Sequence, residues 1–155
     1  MVELNKIPHI DEISNHGAFA GAGQKKTATF RERYFHQNKV VPSLEDAIRR
    51  TGLKDGMTVS FHHHLRNGDF VLNMVMEEIA AQGYKDINVN ASSLFDVHTP
   101  LLEHIKNGVV TGIAADYIAA GIGKAISLGI LRKPVQFRTH GGRPSDIVTG
   151  KTPID

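Results

Sequence analysis

The 155-residue sequence contains no cysteine and no tryptophan. Without cysteine there is no disulfide framework, no thiolate ligand for a metal and no thiol nucleophile. The chain also lacks any run near the ~18 apolar residues that a membrane-spanning helix needs. Its N-terminus has no basic start followed by an apolar stretch, so no secretory signal is read either. An excess of one charge is missing too: 18 Lys plus Arg stand against 16 Asp plus Glu, a formal net charge of +2. The longest basic clusters are the pairs Lys25-Lys26 and Arg49-Arg50, which do not make a nucleic-acid footprint. The expectation is a soluble cytoplasmic protein of about one domain. With 41% hydrophobic residues, a chain of this length buries roughly two-thirds of its unfolded surface, enough for a core without staples.

What the chain does have is histidine and glycine: nine His, three of them consecutive, and 15 Gly, several beside those His. Residues 1–41 show no sustained period and include the small-residue run Gly17-Ala18-Phe19-Ala20-Gly21-Ala22-Gly23, which reads as an irregular arm. From residue 42 the pattern becomes regular. Ser43 can cap a short helix ending at Thr51, with Asp46 in the reciprocal capping position and Gly52 closing it. Met57-Thr58-Val59-Ser60-Phe61 alternates like a strand. A helix capped by Asp69 runs to about Gln82, with Val71, Met74, Val75 and Ile79 expected on one face and Gly83 at its end. Ile87-Asn88-Val89-Asn90-Ala91 is the next strand, followed by a helix from Thr99-Pro100 to Asn107 closed by Gly108. Residues 109–115 form a third strand, a helix follows to Leu128 with Gly129 closing it, and Pro134-Val135-Gln136-Phe137-Arg138 is the fourth strand. Residues 144–149 suit one helical turn capped by Gly150, and the last five residues resemble the approach to a further strand, so a truncated domain is expected over 42–155.

Strands alternating with helices imply right-handed crossovers and an open, mainly parallel α/β sheet with helices on both faces. In such sheets ligands bind beyond the C-terminal ends of the strands. The loops at 62–68, 92–98, 116–123 and 139–143 are therefore the ones to watch.

The first of these loops is His62-His63-His64-Leu65-Arg66-Asn67-Gly68, followed by Asp69. Backbone N–H groups entering a helix, with Arg66 as a planar fork, suit an anionic guest. Metal is the poorer reading, because consecutive residues in extended chain point to opposite faces and only His62 and His64 could share an ion. The plain alternative is solvated loop histidines. The second loop is Thr139-His140-Gly141-Gly142-Arg143, where paired glycines allow close backbone approach and an oxyanion-stabilising nest. Its plain alternative is an ordinary turn. Ser92 and Ser93 could bind an anion, but no Gly-x-Ser-x-Gly elbow surrounds them. The Gly17 to Gly23 run has no Lys-Ser/Thr ending, and Gly121-Ile122-Gly123 has no remaining dinucleotide fingerprint, so nucleotide binding is not supported. Glu45, Asp46, Glu77, Glu78 and Glu103 read as solvated faces or caps.

Four stretches together carry a resemblance: Leu53 to Asp69 with its His-His-His-Leu-Arg-Asn-Gly-Asp run, Ala91-Ser92-Ser93-Leu94-Phe95, Lys106-Asn107-Gly108-Val109-Val110-Thr111-Gly112-Ile113, and Arg138-Thr139-His140-Gly141-Gly142-Arg143. They closely resemble the alpha subunit of bacterial citrate lyase, a family of the coenzyme A transferase superfamily, over nearly the whole chain. The resemblance implies a citrate:acetyl-acyl-carrier-protein transferase that exchanges citrate for acetyl on a coenzyme-A-like prosthetic arm. It implies the acyl carrier (gamma) and beta subunits as partners and no cofactor bound covalently to this chain, and leaves a homo-oligomer open; that no metal is expected rests on the histidine spacing above. Carried over residue by residue, His62, His63, His64, Asn67, Gly68, His140, Gly141 and Gly142 would serve catalysis. Arg66, Arg143, Ser92 and Ser93 would hold substrate. The family's chains are longer, and related transferases place a Glu nucleophile in the later half. The competing reading is a complete non-catalytic α/β domain that binds a small anion such as a sugar phosphate.

Overall fold

A computed structural model describes residues 40–62 and 65–155. All but the last two residues of the expected arm, together with His63 and His64, lie outside that set. In chain order the elements are α1 (Leu44–Thr51), β1 (Thr58–Phe61), a 3-10 turn (Arg66–Gly68), α2 (Val71–Ala81), β2 (Ile87–Ala91), a 3-10 turn (Asp96–His98), α3 (Leu101–Lys106), β3 (Val110–Ala115), α4 (Ala120–Ser127), β4 (Gln136–Phe137) and α5 (Gly142–Val148).

The boundaries follow local chemistry. Ser43 Oγ accepts from the Asp46 N–H at 3.1 Å. The reciprocal half of the expected capping box is not made, because the Asp46 carboxylate pairs with Arg50 at 2.8 Å instead. Gly52, Gly83, Gly108, Gly129 and Gly150, each expected after a helix, adopt φ between 71° and 88°, the left-handed conformation that ends a helix without a Cβ penalty.

The described strands form one parallel sheet in the order β1-β2-β3-β4. Val59, Val89 and Ile113 are in register, as are Phe61, Ala91, Ala115 and Phe137. Successive right-handed crossovers that always step the same way place α2, α3 and α4 on one face of the sheet. That face is apolar: Phe61, Ile87, Val89, Ala91 and Ile113 meet Leu72, Met76 and Ile79 of α2, Leu101 and Ile105 of α3, and Ile122 of α4.

Strand alternation turns Ser60, Asn88, Asn90, Gly112, Ala114 and Gln136 to the opposite face. It is covered by α5, whose Arg143 reaches Ser60 and Asn90, and by the residues that follow. The Asp155 N–H donates to Thr58 O at 3.2 Å. A cavity of 210 Å³ lies between this face and residues 151–153. Helices thus lie on both faces, as expected, but the second layer is thin and polar.

Two expectations are corrected. The buried stripe of α2 is Leu72, Met76 and Ile79, while Val71 and Met74 are exposed. This helix carries Val71, Leu72, Met74, Val75, Met76 and Ile79, apolar residues on nearly every side, so period alone cannot choose the inward face. The fourth strand shrinks to Gln136–Phe137 at the sheet edge, because Pro134 has no N–H for the ladder. Pairing still brackets it, with the Lys133 N–H on Thr111 O at 3.1 Å and the Arg138 N–H on Ala115 O at 3.2 Å.

Candidate functional site

The loops beyond the C-terminal strand ends do not splay apart. The Ser92 N–H donates to Phe61 O at 3.0 Å, the Asp116 N–H to Ser92 O at 3.3 Å and the Leu94 N–H to Tyr117 O at 2.8 Å. Pairing therefore continues past the strands and holds the loops as one rim.

In the first loop Arg66 has φ 50°, a left-handed conformation that costs a residue with a Cβ about 1–2 kcal/mol. It is held by the Gly68 N–H on Leu65 O at 2.8 Å and the Asp69 N–H on Arg66 O at 3.1 Å. Asn67 Oδ1 accepts from the Val97 N–H at 3.3 Å. The cap of α2 falls on Phe70, one residue later than expected, and Asp69 Oδ1 accepts from the Val71 N–H at 3.1 Å just before it. The fully buried His98 ties the first two loops together. Its Nδ1 accepts from the Phe95 N–H at 2.9 Å, so Nε2 carries the proton and donates to Asp69 O at 3.1 Å. Its bonds make His98 part of the rim's framework.

In the last loop Thr139 Oγ1 accepts from the Gly142 N–H at 2.9 Å, and Thr139 O from the Arg143 N–H at 3.0 Å. The expected glycine nest is corrected here: the Gly142 N–H starts α5, two residues earlier than the sequence suggested, and only the Gly141 N–H remains as a glycine donor in this loop. A Cβ on Gly142 would meet Thr139 Oγ1 at 2.9 Å, so the second glycine serves that close approach.

Arg143 reaches back across the polar face. Its Nε donates to Asn90 Oδ1 at 2.7 Å, and Nη2 donates to Ser60 Oγ at 2.6 Å, Asn90 O at 3.2 Å and Phe61 O at 3.3 Å. Every acceptor is neutral, so its charge is matched by no carboxylate among the described residues. His140 is exposed and its Nδ1 lies 2.7 Å from Asp116 Oδ2. The His62 and His140 rings are 5.9 Å apart, centre to centre. Beside His62 opens a cleft of 240 Å³ lined by Ser60, Phe61, Asp69, Val71 and Leu72.

The rim thus brings together His62, His140, Gly141, Gly142, Arg143 and the buried Ser92, with Ser93 one residue further along. Arg66, Asn67 and Gly68 sit in the part of the first loop that joins the second loop at Val97. Sequence reading missed Asp116, Asn90 and Ser60. Asp116 carried only a positional signal, as the first residue past a strand in a parallel sheet. Asn90 and Ser60 carry no signal beyond being the polar residues of alternating strands. Among the described residues no group of three His, Asp or Glu is placed to hold a metal ion, and no helix is long and apolar enough to cross a membrane.

The chain is similar to known proteins over most of its length. The sequence profile of the citrate lyase alpha subunit (CitF) matches residues 37–155. The citrate lyase alpha chain of Haemophilus influenzae is 52% identical over 117 residues, covering 76% of this chain and 23% of that one. The citrate lyase alpha chain of Klebsiella pneumoniae is 45% identical over 137 residues, covering 88% of this chain and 27% of that one. Among solved structures, the alpha subunit of citrate lyase from Streptococcus mutans, crystallised in complex with citrate, superposes with a TM-score of 0.75 at 52% identity over 77% of this chain and 24% of its own. The chain spans about a quarter of the length of the relatives it matches. A family profile covering most of the chain, relatives at this identity and a shared α/β sheet together show that the chain belongs to the citrate lyase alpha subunit family.

Proposed function

We propose that this chain contributes one wall of the site of a citrate:acetyl-acyl-carrier-protein transferase acting in the cytoplasm with acyl carrier and beta subunits. In the net reaction a citrate carboxylate takes the place of acetate on the carrier thioester. The acetyl C–S bond breaks, a citryl C–S bond forms, and one citrate oxygen leaves in acetate, so no proton is gained or lost. The beta subunit then cleaves the citryl thioester. The carrier's coenzyme-A-like arm is substrate here, not a resident cofactor.

The observation that carries this reading is the rim itself, where a guanidinium that meets no carboxylate among the described residues lies in the same loop cluster as two exposed imidazoles. Citrate and the oxyanion formed during thioester exchange are both anionic, and fixed donors in a partly dry cleft stabilise such charge. The citrate bound to the Streptococcus mutans relative supports the same guest. In this reading Arg143 and Arg66 take carboxylates, while His62, His140 and the Gly141 N–H face the exchanging carbonyl.

Transfer from acetylated carrier to labelled citrate by a full-length alpha chain containing this segment tests the reading. Arg143→Ala and Arg66→Ala are each expected to lower exchange about 10- to 100-fold, the loss of a charge-assisted bond. Unchanged exchange in both variants would overturn the site, and no exchange by the parent chain would overturn the transferase reading.

A further inference from the structure

Asp116 is the first residue after β3, and its backbone N–H donates to Ser92 O at 3.3 Å, so the sheet fixes its position. Its side chain is 10% exposed, whereas that of His140 is 74% exposed. The carboxylate is thus held by the framework, and the imidazole is held mainly by the carboxylate. Constraint runs from Asp116 to His140.

The carboxylate has little else to do. Oδ2 lies 2.7 Å from His140 Nδ1, and Oδ1 is buried with no hydrogen-bond partner. Leaving a buried acceptor unsatisfied costs about 1–3 kcal/mol, and such exceptions in a folded protein call for a reason. Here the reason is orientation. With Nδ1 committed to Asp116, the remaining nitrogen, Nε2, is the one available to a guest at the rim.

We propose that Asp116 is a positioning residue, holding His140 through Nδ1 so that Nε2 is the ring nitrogen offered to the anionic guest. In the neutral ring the proton sits on Nδ1. In the protonated ring both nitrogens donate, Nδ1 to Asp116 and Nε2 to a carboxylate or oxyanion oxygen. The neighbouring His62 ring and the Arg143 guanidinium add donors to the same rim. The identity of the guest rests on the transferase reading, but the ring geometry does not.

Imidazole ¹⁵N spectra of this chain in alkaline buffer, with His140 assigned by His140→Gln, read the tautomer directly. The expected result is a predominantly Nδ1–H ring in the parent chain, with that preference reduced in Asp116→Asn. A parent His140 in the Nε2–H form, the form that solvent-exposed imidazoles favour, overturns the proposal and leaves the transferase reading untouched. In the full-length alpha chain, Asp116→Asn should lower kcat/KM for citrate by about tenfold, equivalent to ~1.4 kcal/mol. It should cause no further loss in a His140→Ala background. Equal losses in both backgrounds would show that Asp116 acts independently of His140 and overturn the proposal. Absence of exchange in the parent would count against the transferase reading, and the tautomer would still decide the role of Asp116.

Discussion

The two faces of the sheet are built from the same strands by opposite chemistry. One carries Phe61, Val89, Ala91 and Ile113 into a sealed apolar layer with three helices. The other carries Ser60, Asn88, Asn90 and Gln136 against α5 and the residues after it. Parallel sheets covered on both sides usually read as continuous hydrophobic runs, and β2, Ile-Asn-Val-Asn-Ala, does not. The apolar face therefore supplies most of the stability. The polar face holds Arg143 in place by neutral acceptors that do not neutralise it, so the charge stays available at the rim.

Breaking the apolar face should have the largest effect. Met76 is fully buried between helix and sheet, and Met76→Ala is expected to cost about 2–5 kcal/mol, read as a fall in the urea midpoint. The polar face should be weaker but more specific. Arg143→Ala leaves the buried Asn90 Oδ1 without its donor, an expected loss of about 1–3 kcal/mol. An Asn90→Ala, Arg143→Ala double variant should lose less than the sum of the singles, because the two residues share one bond; strict additivity would show that the faces do not differ in this way. Gly112→Ala should be milder. Its Cβ would overlap Asn88 Oδ1, the acceptor of a 3.0 Å bond from Lys133. A flexible side chain can yield, so a loss of about 1 kcal/mol is expected, and a loss as large as that of Met76→Ala would contradict the ranking.

The same contrast explains what was legible in the sequence. The α/β alternation, the helix-closing glycines and the placing of the loops beyond the C-terminal strand ends all follow from local rules that act within a few residues, and they stand in the structure. The inward face of α2 did not follow, because a helix with apolar residues on most sides is oriented only by what packs on it. At the site, the motif residues His62, His140 and Arg143 could be named because they stand in unusual runs. Asp116, Asn90 and Ser60 could not. They are ordinary residues made important by partners 24 to 83 positions away, and no spacing rule reaches that far.

The smallest effect separates the faces by pH. His104 of α3 is buried with Glu77 at 3.7 Å, and burial holds its imidazole below the ordinary value of 6.5 despite the opposing pull of Glu77 and Glu103. The unfolded chain then binds more protons than the folded one at pH values between the lowered value and 6.5, so stability falls as pH drops through that window. At the edge of the polar face the Asp86 carboxyl is held below 3.8 by its bonds from Thr111 and Lys133. That contribution is complete above 3.8 and is lost only as pH falls through the lowered value. Asp86 is half exposed, so the loss is screened and small. Stability measured by urea against pH should therefore soften first because of His104 on the helix side, and His104→Gln should flatten that limb while leaving the more acidic one. Retention of the first limb in His104→Gln would move its origin to another imidazole, and with it the claim that the apolar layer is the first to respond to acid.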